Sequence, residues 1–190
     1  ITSFARHIIK KTNSFVESLG HQIVYNDTDS IFFTSSTKFK SLEEKKKFAI
    51  DVQEKINSHF EEWVTKEYGQ KNFLSIEFEK IFSKFFIATK KRYVGYDEIT
   101  KKTMYTGMEA IRGDWTDVAK EFQMKLVDKI FADVSKEKIS EFIHTEIKEL
   151  KAGKFDDKLV YTKKITKPLA QYTKTTPPHV RAAREVSNFT

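Results

Sequence analysis

Apolar side chains at Phe4, Ile8, Phe15 and Leu19 have a helical spacing that predicts a helix over residues 1–19, with Gly20 where a C-cap belongs. The rhythm then changes. In His21 to Phe33, HQIVYNDTDSIFF, runs of Ile, Val, Tyr and Phe favour a pleated backbone, and Asn26-Asp27-Thr28-Asp29-Ser30 between them favour a tight reversal. A β-hairpin with acids at its tip is predicted. Ser41 stands as an N-cap before Glu43 and Glu44, and Phe48, Val52, Ile56, Phe60 and Val64 recur every four residues, so one long amphipathic helix should end near Tyr68-Gly69. From Phe73 the pattern alternates: Leu74, Ile76 and Phe78 against Ser75, Glu77 and Glu79, a half-buried strand with both acids on its polar face.

Lys90-Lys91-Arg92-Tyr93 reads as the start of a strand that runs toward Tyr96, turns near Asp97-Glu98 and pairs with Thr100 to Tyr105. On such a strand Lys91 and Tyr93 share one face, Lys90 and Arg92 the other. Beyond Gly107 helices dominate. Asp114 is placed as the N-cap of a helix whose stripe is Val118, Phe122, Val127, Ile130 and Phe131; a further helix runs from Lys136 to Lys151 with Gly153 after it, and a short one covers His179 to Glu185. The fold class is therefore α+β, with an antiparallel sheet and packed helices in residues 1–106 and a mostly helical part in 107–190.

Composition narrows the function classes. The chain has 190 residues, 32% of them charged and 39% hydrophobic, as in a globular protein with a real core. Lys and Arg outnumber Asp and Glu by 34 to 27, which suits a polyanionic partner. With no cysteine, disulfides, thiolate metal sites and cysteine nucleophiles are excluded. The five histidines are scattered without ligand spacing and read as packing or surface residues. The apolar run near Phe85 to Ala88 is far too short to cross a bilayer, and no secretory leader pattern opens the chain, so an intracellular location (cytoplasm or nucleoid) is expected.

Asp27 and Asp29 carry the candidate chemistry. Two apart in extended geometry, their carboxylates would leave one face, and carboxylates about 5 Å apart repel by roughly 3 kcal/mol at an effective dielectric near 20. Such a pair calls for a counter-charge, and a hard divalent cation that takes carboxylate oxygens is the obvious one. A bare D-x-D is usually only an acidic turn. A calcium loop fails, because Ile31 and Phe32 stand where an acid or amide and a glycine are needed.

YNDTDS flanked by apolar strands resembles the YGDTDS palm motif of family B DNA polymerases. Glu77-Phe78-Glu79, KKRY at Lys90 to Tyr93, GMEAIRGDW at Gly107 to Trp115 and PPHVRAAR at Pro177 to Arg184 follow in the family's order, the last most similar to bacterial polymerase II-like members, with archaeal enzymes also alike. The resemblance implies that residues 1–106 are the C-terminal part of a polymerase palm and 107–190 an incomplete thumb. It implies template-directed nucleotidyl transfer, with Asp27 and Asp29 as catalytic acids that hold two Mg²⁺ ions, for which Mn²⁺ substitutes, and Glu79 as a further candidate ligand. Thr28 is a candidate nucleotide contact. Lys90, Lys91, Arg92 and Tyr93 would lie along the minor groove of the new duplex, and Arg112, Lys163 and Lys164, with Lys167 and Lys174 nearby, would face its backbone.

Implied partners are primer–template DNA, deoxynucleoside triphosphates, the N-terminal polymerase segments with the remaining palm acid, and a sliding clamp reached through a C-terminal extension. The chain is expected to begin and end within a longer protein and to be inactive alone. Asn26 departs from the family's Gly; the departure is mild, because Asn is the residue after Gly that best tolerates a left-handed turn, and it bears on the turn geometry rather than on the acids. Two other classes stay in view. One is a non-catalytic or partner-dependent DNA-binding subunit; the other, a metal-dependent nuclease, would need more clustered acids or histidines than the sequence offers.

Overall fold

In the computed structural model, which describes residues 2–173 and 176–186, the first predicted helix is α1 (Thr2–Ser18), followed by Gly20 at φ 85°. Lys174 lies outside the described residues. The long helix is α2 (Leu42–Tyr68). Its start is closed by Ser41 Oγ, which accepts from the Glu44 N–H, and its end by Gly69 at φ 63°, whose N–H donates to the Thr65 carbonyl. Val52, Ile56, Phe60 and Val64 form the buried stripe as spaced, and Trp63 joins them three residues after Phe60, a helical neighbour that a four-residue count passes over. Val16 of α1 completes this core, with Ile8, Phe15 and Phe48 packed against it.

The predicted hairpin is β1 (Gln22–Asp27) paired antiparallel with β2 (Ser30–Thr34), and it is apolar on both faces for a reason. Ile23, Ile31 and Phe33 pack onto the α1–α2 core. Tyr25 and Phe32 turn the other way, onto Phe82, Phe85 and Tyr93, with ring centroids 5.2 Å apart for Phe32–Phe85 and 5.5 Å for Tyr25–Tyr93. A β-bulge between Ile23 and Tyr25 lets both residues reach their separate partners. The rings on the far side come from the three-stranded sheet β3 (Phe82–Thr89), β4 (Arg92–Asp97), β5 (Lys102–Thr106), in that order. Gly95 in β4 makes room for one of them: a Cβ there would lie 2.5–2.9 Å from the Phe82 ring.

Three local expectations are corrected. Residues 73–79 keep the predicted alternation, with Leu74, Ile76 and Phe78 inward and Glu77 and Glu79 exposed, but they form no strand. Side chains of α2 serve their backbone instead. Asn57 bonds both the N–H and the C=O of Ile76, at 2.8 and 3.0 Å, and Gln53 accepts from the Phe78 N–H at 2.6 Å. Lys90 and Lys91 do not start a strand; they are the turn between β3 and β4, and only Arg92 and Tyr93 belong to β4. Asp114 does not cap the next helix, α3 (Asp117–Phe131), which starts after Thr116, because its carboxylate is engaged by Arg112.

The chain forms two compact units, Ile1–Met104 and Tyr105–Thr190. In the second, α3 packs on α4 (Lys136–Lys151) through the stacked rings of Phe122 and Phe142, 5.7 Å apart, and Lys125–Glu146. Gln123 of α3 braces the turn at Glu109 and Ala110, and Lys158 pairs with Glu121. The last helix, α5 (Pro178–Glu185), buries Val180 and Ala183, and its Arg184 donates to the Leu169 and Tyr172 carbonyls. No described helix is long and apolar enough to cross a membrane.

Phe60, 3% exposed at the centre of the first core, gives a stability test. Phe60→Ala should cost about 3–5 kcal/mol in urea unfolding, since the ring's transfer energy and a cavity term are lost together.

Candidate active site

The aromatic layer between the hairpin and the β3–β4 sheet brings two sequence motifs together. Its edge sets the Lys90-Lys91 turn against Asp27-Thr28, sixty-four positions back in the chain: the Lys91 ammonium bonds Asp27 Oδ1 and donates to Thr28 Oγ1 at 2.7 Å. The Lys91 backbone N–H donates to the Tyr25 hydroxyl at 2.7 Å, so the turn is tied to the hairpin through both main chain and side chain.

Both tips have unusual backbones. Thr28 sits at φ 57° and Lys91 at φ 63°, in the left-handed region that a β-branched residue occupies at a cost of about 1–3 kcal/mol. The Asp29 N–H closes the reversal on the Asp27 carbonyl at 2.7 Å. Asn26, which would tolerate a left-handed turn, lies in the ladder opposite Ile31, and Thr28 makes the reversal instead. With Thr28 left-handed, the run from Asp27 to Asp29 is not extended, and the same-face argument for the two acids does not carry through it.

Electrostatics single out Asp27. Its carboxyl is held below the usual range, chiefly by the Lys91 hydrogen bond; partial burial opposes this, and Thr28 and Tyr93 add to the lowering. The same bond to Asp27 raises Lys91. The counter-charge that an acidic tip requires is thus present at Asp27 as an ammonium. Asp29 is exposed at the tip.

The remaining candidates are dispersed. Glu79 is exposed and pairs with its neighbour Lys80 at 3.0 Å. No group of three or more His, Asp or Glu side chains able to hold an ion occurs among the described residues, so Glu79 does not join Asp27 and Asp29 in one. Lys90 is exposed at the turn, and Arg92 and Tyr93 are half-buried in β4. In the second unit Arg112 grips Asp114 through two bonds, 2.9 and 2.6 Å, which with some help from Lys163 hold Asp114 down at about 2. Arg112, expected as a backbone contact, is thus paired with an acid two residues on. Lys163 and Lys164 lie exposed in the irregular segment before α5. Tyr25 figures in the sequence only as a strand aromatic and the first residue of YNDTDS; its hydroxyl contact with the Lys91 backbone has no signal there.

The match to DNA polymerase family B extends over residues 1–189. The chain belongs to that family. Among curated relatives, DNA polymerase II of Escherichia coli (strain K12) is 34% identical across 97% of the chain, the DNA polymerase of Archaeoglobus fulgidus 31% across 96%, and that of Methanocaldococcus jannaschii 32% across 98%. The family B segment spans only 24%, 21% and 11% of those proteins' lengths. What it contributes is the hairpin tip, the turn that faces it and the helical unit that follows.

The tip carries two carboxylates, Asp27 held ionised chiefly by Lys91 and Asp29 exposed to water. Among the described residues no third His, Asp or Glu joins them in a group able to hold an ion.

Proposed function

We infer that this segment is the C-terminal palm and part of the thumb of a DNA-directed DNA polymerase, taking part in template-directed nucleotidyl transfer on primer–template DNA. The observation that carries the reading is the Lys91–Asp27–Thr28 contact, in which a basic turn suited to a nucleic-acid backbone is fastened to the acidic tip suited to metal-assisted phosphoryl transfer. Asp29 and Asp27 would hold the Mg²⁺ pair, with other ligands from outside these residues. The chemistry supplied there would be polarisation of the α-phosphate, activation of the primer 3′-hydroxyl and neutralisation of the leaving pyrophosphate. Asp27 contributes a carboxylate that stays ionised and Thr28 fixes the reversal. Lys90, Arg92 and Tyr93, with Arg112, Lys163 and Lys164 of the second unit, hold the duplex without reading sequence. The supply of two carboxylates and no third favours a segment that depends on other polymerase parts for its activity.

Lys90 tests the duplex part of this reading, being exposed at the turn while Lys91 is committed to Asp27. Lys90→Ala should weaken duplex binding alike for every sequence and reduce the slope of log K against log salt by about 0.9, one phosphate contact. An unchanged slope would return Lys90 to an ordinary solvated lysine.

A further inference from the structure

We propose that the Tyr25 hydroxyl is a strut that fixes the Lys90-Lys91 turn on the hairpin and so sets the position from which Lys90 grips the duplex. The proposal rests on the reading of that turn as a duplex contact. By itself the turn is a poor one. Thr89 and Arg92 are the last pair of the β3–β4 ladder, so Lys90 and Lys91 are its two turn residues, and only the second is left-handed. Two-residue turns that match the twist of the strands are left-handed at the first residue or at both, and a turn left-handed at the second favours Gly or Asn there. The register also shifts between Ile87 and Thr89, just before the turn. The next hairpin of the sheet shows what a left-handed lysine needs. Its Lys101, at φ 57°, is held from within by Asp97, whose carbonyl accepts the Lys101 N–H at 2.9 Å and whose buried carboxylate accepts from the Ile99 N–H and the Thr100 hydroxyl at 2.9 and 2.8 Å. The N–H of the left-handed Lys91 goes instead to another element: it donates to the Tyr25 hydroxyl of β1, sixty-six positions back in the chain.

The bond is to the main chain, and that decides what it does. The Lys91 ammonium also reaches the hairpin, at Asp27 and Thr28, but its side chain is 58% exposed, and an exposed ion pair is weak and loosely placed. A bond to the backbone N–H holds the turn wherever the lysine stem points. Tyr25 is itself held by its ring, which packs edge-on to Tyr93 at 5.5 Å and tilted on Phe32 at 5.7 Å, so the hydroxyl stands on a packed base. Tyr25 lies two residues before Asp27 on β1, and the strut therefore fixes the basic turn with respect to the acidic tip. Lys90, exposed beside Lys91, approaches a phosphate from a backbone already in place, so less ordering is lost on binding than a free turn would lose. Tyr25 is a positioning residue in this sense: it acts through the turn rather than on the duplex.

The test uses a full-length polymerase that carries this segment and reads duplex affinity and amide hydrogen exchange with chelator present, so that neither metal nor catalysis enters. Tyr25→Phe removes the hydroxyl and keeps the ring with its packing. It should weaken duplex binding about three- to tenfold, alike for every sequence, the range that one hydrogen bond supports. Exchange should quicken in the peptide that spans the β3–β4 turn, while α2 stays as protected as in the parent. In a Lys90→Ala background the same substitution should change affinity by less than about twofold, because the contact it positions is already gone. Tyr25→Phe within about twofold of the parent, with Lys90→Ala still weakening binding, would overturn the strut and leave the proposed function standing. Equal losses in the two backgrounds would also overturn it, because the hydroxyl would then act elsewhere than through the turn. Quicker exchange in α2 as well would make Tyr25 a general brace of the fold and overturn the positioning role. Lys90→Ala without effect on affinity or on its salt dependence would overturn the reading of the turn as a duplex contact and the inference with it.

Discussion

Asp29→Asn, introduced into a full-length polymerase that carries this segment, is expected to lower primer extension by about three orders of magnitude or more while leaving duplex affinity within about twofold. The substitution keeps the side chain's shape and removes the charge of the proposed metal ligand from the tip of the hairpin. Asp29 lies outside the β1–β2 ladder and is exposed, so the change removes no core packing and no strand pairing. The loss should therefore fall on turnover and metal dependence rather than on folding. Asp27→Asn should also be harmful, but it acts on two things at once, since Asp27 is also the anchor of Lys91 and so of the β3–β4 turn. Primer extension and duplex binding measured side by side on both variants separate these effects. Near-normal extension by Asp29→Asn would remove Asp29 from the catalytic machinery.

The elements whose causes are local were legible in the sequence. Ser41 and Gly69 bracket α2 as their residue types require, and the four-residue spacing on that helix points to its buried face. The hairpin was legible from its apolar flanks, but its tip was not. Asn is the residue type that tolerates a left-handed turn, yet the register of β1 and β2 commits Asn26 to the ladder and leaves Thr28 to make the reversal. Lys91 takes the same conformation although turn rules favour Gly, Asn or Asp there.

At residues 73–79 burial followed the alternation faithfully, while the hydrogen-bond partners did not follow from it. A pleated, half-buried segment needs something to satisfy its backbone, and nothing in its own sequence shows that Asn57 and Gln53 do so. The Asp27–Lys91 contact is the deepest case. Each residue belongs to a recognisable motif, but their meeting depends on Tyr25, Phe32, Phe85 and Tyr93 packing between two sheets, which no spacing along the chain encodes. An acid at such a tip needs a counter-charge, and at Asp27 the fold supplies it from Lys91 rather than from a metal ion.

The 190-residue chain by itself is expected to bind duplex DNA weakly and to leave a primer unextended. Its described residues offer two carboxylates at one tip and no third His, Asp or Glu beside them. Mg²⁺ demands near-octahedral oxygen geometry and gives up water reluctantly, so two ions held by two carboxylates would be under-liganded and their mutual repulsion poorly offset. Phosphoryl transfer depends almost wholly on positioning and electrostatic stabilisation, and an incomplete ligand set fails on both counts. The basic turn and the cations of the second unit need no metal to follow a phosphate backbone, so binding should survive where catalysis does not. A primer-extension assay with Mg²⁺ or Mn²⁺, run beside a salt-dependent duplex titration, measures the two separately. Robust extension by this chain would mean that a further ligand comes from within it, and Glu79→Gln would be the first substitution to identify it.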